Sequence, residues 1–76
     1  MRHEVSGDRV IAVLAALGYE IIRQKGSHVR LRHEGPPSHS ITVPRHTHLK
    51  AGTLHAIVND VATARAIEVK SILSMS

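Results

Sequence analysis

Residues 26–33, Gly-Ser-His-Val-Arg-Leu-Arg-His, decide the fold of this chain. From His28 to His33 (HVRLRH) apolar and basic residues alternate. A period of two places Val29 and Leu31 on one face and His28, Arg30 and Arg32 on the other, as in a strand with one face buried. Gly26-Ser27 is a turn signal just before it. Tyr19 to Lys25 (YEIIRQK), upstream, is rich in β-formers and partly alternating, so the two segments read as a hairpin. Downstream, Glu34-Gly35-Pro36-Pro37-Ser38 is a loop by composition. Ser40 to Val43 (SITV) then alternates again, with Ile41 and Val43 on one face and Ser40 and Thr42 on the other. Pro44 ends this strand because proline cannot donate to a ladder.

Helical patterns flank the three strands. Met1 to Val5 reads as a short leader. Ser6 is a plausible N-cap, and Asp8 lies in the first turn, where the helix dipole favours an acid. Val10, Ile11, Val13, Leu14 and Leu17 recur at helical spacing, and Gly18 is a common kind of helix stop, so a helix is predicted over about residues 7–17. Residues 45–51 (RHTHLKA) form a basic loop anchored by Leu49. Thr53 is the candidate N-cap of a second helix whose Leu54, Ile57, Val58, Val61 and Ala62 share one face. Ile67, Val69, Ile72 and Leu73 fit either a continuation of this helix or a short third helix after a break near residues 64–67, of which the break is preferred.

The order α-β-β-β-α, with or without a final short helix, is α+β: a three-stranded antiparallel sheet with its helices on one face, the topology of double-stranded-RNA-binding-like domains. The 76 residues form one domain, and a chain this short buries only about 60% of its unfolded surface. It has no cysteine, so no disulfide framework supports it. A hydrophobic content of 42% excludes a disordered tail. No apolar run approaches the roughly 18 residues of a membrane span, and no signal-peptide pattern opens the chain. The single aromatic residue, Tyr19, disfavours a platform on which single-stranded bases stack.

Charge and histidine concentrate in the same region. Ten Lys and Arg against six Asp and Glu give +4. Arg23, Lys25, Arg30, Arg32, Arg45 and Lys50 fall in a stretch whose one acid is Glu34. His28, His33, His39, His46 and His48 lie there too, five of the seven histidines. Such a surface attracts phosphates and releases counterions, although a solvated sheet face that keeps a small protein soluble has the same composition. His28 shares its face with Arg30 and Arg32. Cleavage of RNA through the 2′-hydroxyl requires a group that takes and gives a proton near neutral pH, and cations that stabilise the phosphorane. His28 can supply the first; Lys25, Arg30 or Arg32 the second; Gly26 and the Ser27 hydroxyl let the backbone approach the RNA. The plainer reading of His28 is a surface histidine beside a turn. His46-x-His48 with His39 or His33 raises a metal site, for which cysteines are absent and acids scarce. Loop polarity accounts for His33, His39 and His48.

Gly26-Ser27-His28, then Val43-Pro44-Arg45-His46, then Leu49-x-x-Gly52-Thr53-Leu54 with Ile57, resemble the HicA-type toxins, small mRNA interferases of type II toxin–antitoxin systems. The resemblance runs from about Val10 to Val61. It implies a double-stranded-RNA-binding-like fold and translation-independent cleavage of mRNA in the cytoplasm, with no metal or other cofactor. It makes His28 the catalytic residue. Lys25 matches the basic residue frequent before the motif, and His46 the histidine after the family's Val/Ile-Pro, with a structural or RNA-contacting role. The implied partner is a HicB-type antitoxin that covers the active surface in a hetero-oligomer. The chain departs from the family pattern in its long, proline-containing Glu34–Ser38 spacer and beyond Val61. The expected function is thus an endoribonuclease toxin with His28 catalytic and Lys25, Ser27, Arg30, Arg32 and His46 on the RNA. The alternative is a non-catalytic RNA-binding module that uses the same basic face.

Overall fold

Ser6 starts the first helix because its hydroxyl accepts the Arg9 backbone N–H at 3.0 Å, satisfying one of the donors that a helix start leaves free. The computed structural model describes residues 5–75 of the chain. In it this helix, α1, spans Gly7–Ala16 and is followed by β1 (Glu20–Lys25), β2 (His28–His33), β3 (His39–Pro44), α2 (Ala51–Arg65) and α3 (Val69–Ser74). The expected order is therefore present, third helix included. Of the expected leader only Val5 falls within the described residues, and it packs against the core.

The strands form one antiparallel sheet in the order β1-β2-β3. Val29 lies opposite Val43 and Leu31 opposite Ile41, so four apolar side chains share one face. All four are buried, together with Val10, Val13 and Leu14 of α1 and Ile57, Val58 and Val61 of α2. Each buried aliphatic side chain of this kind contributes about 1.5–3 kcal/mol, and this layer is the main favourable term in folding. The opposite face of the sheet carries His28, Arg30 and Arg32 and is left open, as the alternation predicts.

Two boundaries differ from expectation. α2 begins at Ala51, with Lys50 at the N-cap and no side-chain cap, rather than after Thr53. The reason is tertiary: Leu49 is buried and its N–H donates to the Val5 carbonyl at 2.9 Å, which fixes the entry of the chain and lets the helix start earlier. β3 extends from His39 to Pro44, one residue beyond SITV at each end. The break after α2 is made by Ala66, in the left-handed region at φ 55°, with Ile67 N–H donating to Ala62 O at 3.1 Å.

The helices do not cover the sheet evenly. α1 and α2 both pack on β3, and every residue of β1 is exposed. Between Ile21, opposite Leu31, and Arg23, opposite Arg30, the register shifts, and Ile22 is the extra residue of a bulge. The bulge returns Arg23 to the open face, where strict alternation from Ile21 would have turned it toward the helices.

Candidate active site

The hairpin between β1 and β2 builds the site. Lys25 and His28 are cross-strand partners, with only Gly26 and Ser27 between them. Gly26 has φ +58°, the conformation that the first position of a II′ hairpin turn requires and that glycine adopts without cost. This turn sets His28 at the first position of β2, exposed and on the open face. Its partner on the other side is Pro44 of β3. Two residues along β2, Arg30 lies opposite Arg23 of β1 and Thr42 of β3. The Arg30 Nη1–H donates to Thr42 Oγ1 at 2.9 Å, which holds the guanidinium over the sheet.

Arg23, Lys25, Gly26, Ser27, His28, Arg30 and Thr42 line a shallow hollow of about 1130 Å³, counting the solvent above it. Among the described residues, no carboxylate lines it. An imidazole therefore stands among three permanent cations that nothing in the hollow neutralises. Such a place can hold an anion and exchange a proton with it.

The support beneath the hairpin comes from the loop after β3. The Arg45 N–H donates to the Ser27 carbonyl at 2.6 Å. The Arg45 side chain donates from Nε to Asp8 Oδ1 at 2.7 Å, and from Nη1 to Gln24 Oε1 at 3.5 Å. Arg45 thus ties β1, the turn and α1 together, and its charge is answered by Asp8. Gly7 allows this close approach: a β-carbon there would strike the Pro44 carbonyl and the Arg45 backbone, and the Gly7 N–H donates to His46 O at 2.8 Å.

Of the residues singled out from sequence, Lys25, Ser27, His28 and Arg30 come together in the hollow. Arg32 does not join them. It lies near the far end of β2, 3.6 Å from the Glu34 carboxylate, beside a separate cleft lined by Gly18, Tyr19 and His33 among others. His46 contributes its carbonyl to the α1 junction, and its exposed side chain is not among those lining the hollow. Sequence reasoning passed over Arg23, Thr42 and Arg45 as site components. Arg23 was hidden by the bulge, which no alternation pattern discloses. Thr42 was visible as the open-face residue of SITV, the position that faces Arg30.

The other histidines divide differently from the expectation of loop polarity. His33 and His39 are strand residues gathered around buried Tyr19. The Tyr19 hydroxyl lies 2.6 Å from His39 Nδ1, and His39 Nε2 lies 3.3 Å from Asp60 Oδ1. His33 stacks obliquely on the phenol at 5.5 Å, and the Arg65 guanidinium lies over the same ring at 5.5 Å. Burial raises the Tyr19 pKa above its ordinary value, and the Arg65 charge offsets part of the rise. Among the described residues, no three His, Cys, Asp or Glu side chains are grouped as metal ligands. No helix among them is long and apolar enough to cross a membrane.

Fold and site together define a small α+β protein with an open basic sheet and an accessible imidazole at its hairpin. A family described as the HicA toxin of bacterial toxin–antitoxin systems matches residues 7–64. The chain belongs to this family of toxins, whose counterpart in such a system is an antitoxin. No curated protein and no solved structure matches it.

Proposed function

We propose that this toxin is a metal-independent endoribonuclease that cleaves mRNA in the cytoplasm, with the whole chain acting as one toxin domain. The observation that carries the reading is the exposed His28 imidazole among Lys25, Arg30 and Arg23 in a hollow without a carboxylate. The scissile phosphate sits on these cations. A neutral His28 takes the proton of the adjacent ribose 2′-hydroxyl, and the 2′-oxygen attacks phosphorus. The 5′-oxygen leaves and is protonated by the imidazolium, or by water, giving a 2′,3′-cyclic phosphate and a 5′-hydroxyl. Proton transfer of this kind contributes about 10²–10⁴-fold, with further stabilisation of the phosphorane from the cations.

Arg32 stands four residues along the same strand, about 13 Å from His28, and contacts a neighbouring phosphate instead of the scissile one. His46 meets the RNA at the rim, and Ser27 at the turn. The antitoxin partner is of the HicB type; an acidic or extended segment laid over this basic face occludes it.

Purified protein incubated with mRNA in EDTA tests the reading. Cleavage is expected in the wild type and lost in His28→Ala, with the circular dichroism spectrum retained. Cleavage by a folded His28→Ala protein sinks the assignment of His28. Salt-sensitive binding without product in the wild type supports a non-catalytic RNA-binding module. Loss of activity in EDTA returns the histidines to a metal role.

A further inference from the structure

The geometry points to β1 as a self-pairing edge, through which two copies of this chain join their sheets. β1 is one of the two outer strands, so a row of its backbone N–H and C=O groups faces no neighbouring strand among the described residues. It also overhangs the helices. Ile21 and Ile22 are each 54% exposed, the most exposed large apolar side chains among the described residues. Ile21 lies opposite Leu31, which is completely buried, yet no helix reaches out to cover it.

Exposed edges are usually protected by charges that repel a second copy. Here the pattern works the other way. Glu20-Ile21-Ile22-Arg23, set antiparallel to itself, places Glu20 of one copy opposite Arg23 of the other at both ends. Ile21 then lies opposite Ile22 twice in the middle. The bulge is what makes the charges meet. Glu20 pairs with Arg32 and Arg23 with Arg30, so both stand on the open face although three positions separate them. Among the described residues, neither Glu20 nor Arg23 has an ion-pair partner. The two pairs of isoleucines form an apolar seam where each sheet overhangs its helices. The result is a continuous six-stranded sheet with both His28 hollows on it.

Opposite charges directly across an antiparallel pair set the register and add modestly to the association, so the isoleucine seam and the new ladder bonds supply most of it. Each copy carries +4, and this long-range repulsion is screened at about 0.15 M salt, where the Debye length is about 8 Å. An interface of one strand is small, so the dimer forms in the micromolar range or above.

Sedimentation equilibrium on the purified full chain, from about 10 µM to about 1 mM, tests the pairing. The mass is expected to rise with concentration from 8.3 kDa toward twice that value. Glu20→Arg and Arg23→Glu should each weaken association at least tenfold, and the doubly swapped chain should regain it. Ile22→Lys should leave a monomer, with circular dichroism confirming that it folds. A wild type that stays monomeric throughout overturns the inference, and leaves the edge to some other partner. So does a dimer indifferent to the charge swaps, or one that the double swap fails to restore. None of these outcomes depends on whether the chain cleaves RNA.

Discussion

Replacing Tyr19 with Phe removes one oxygen from the end of the sheet away from His28 and leaves the ring in place. All three polar groups are satisfied when the phenol donates to His39 Nδ1 at 2.6 Å and His39 Nε2–H donates to Asp60 at 3.3 Å. A hydrogen bond of this kind is worth about 0.5–1.5 kcal/mol net, and the variant also leaves the partly buried Nδ1 without its donor. A loss of about 1 kcal/mol lowers Tm by about 4–8 °C in a domain of this size. RNA cleavage should not change. The pH dependence gives a second readout. Burial raises the Tyr19 pKa above the ordinary 10.0, so the folded protein holds the phenolic proton after the unfolded chain has released it. The associated stability is complete below pH 10 and is lost as pH rises through the folded-state value. The urea midpoint of the wild type should therefore fall toward that of Tyr19→Phe above about pH 10, because the variant lacks this titration. Tyr19 is the only tyrosine, so phenolate absorbance follows it directly. A Tm change within about 1 °C, or a phenol that titrates at or below its ordinary value, would refute this account of the cluster.

The core and the hollow yield two more expectations. Leu31 is fully buried, and Leu31→Ala should cost about 2–5 kcal/mol, a large part of the roughly 4–11 kcal/mol available to a chain of this length; thermal melts followed by circular dichroism measure it. Thr42→Val keeps the shape of the side chain and removes the acceptor of Arg30 Nη1. RNA affinity in filter binding should fall several-fold while Tm moves by only a few degrees, and an unchanged affinity would show that Arg30 needs no anchor.

The elements that alternate or repeat cleanly were legible in the sequence. HVRLRH and SITV announced their buried faces, and Ser6 and Gly18 bracketed α1, because those signals are local. The start of α2 was not legible, because it is set by Leu49 docking on the core and by its bond to Val5, a contact 44 positions away. In β1 the bulge at Ile22 broke the pattern, and with it the inclusion of Arg23 in the hollow. His33 and His39 were assigned to loop polarity because a sequence shows neither the depth of Tyr19 nor the approach of Asp60 from α2. Arg32 shares a strand face with His28, as expected, but a shared face does not bring residues at opposite ends of a strand into one site.

The division of the histidines also says how the fold holds the one in the hollow. His39 is fixed through its side chain, by Tyr19 and Asp60. Among the described residues His28 has no such partner in the hollow, so the backbone on either side must hold it. The ladder to Lys25 and Pro44 supplies part of that restraint, and the Arg45 N–H on the Ser27 carbonyl, at 2.6 Å, supplies the rest from the residue just before it. The side chain and backbone of Arg45 are separable. Arg45→Ala keeps the N–H and loses only exposed side-chain contacts: the 3.5 Å bond to Gln24 Oε1 and the ion pair with Asp8, the latter worth no more than about 1 kcal/mol. Arg45→Pro loses the same ion pair and also the donor. If the backbone bond orients His28, single-turnover cleavage should fall at least tenfold further in Arg45→Pro than in Arg45→Ala, with RNA affinity alike in the two and both chains folded. Equal cleavage by the two variants would mean that the strand ladder alone holds the imidazole in place.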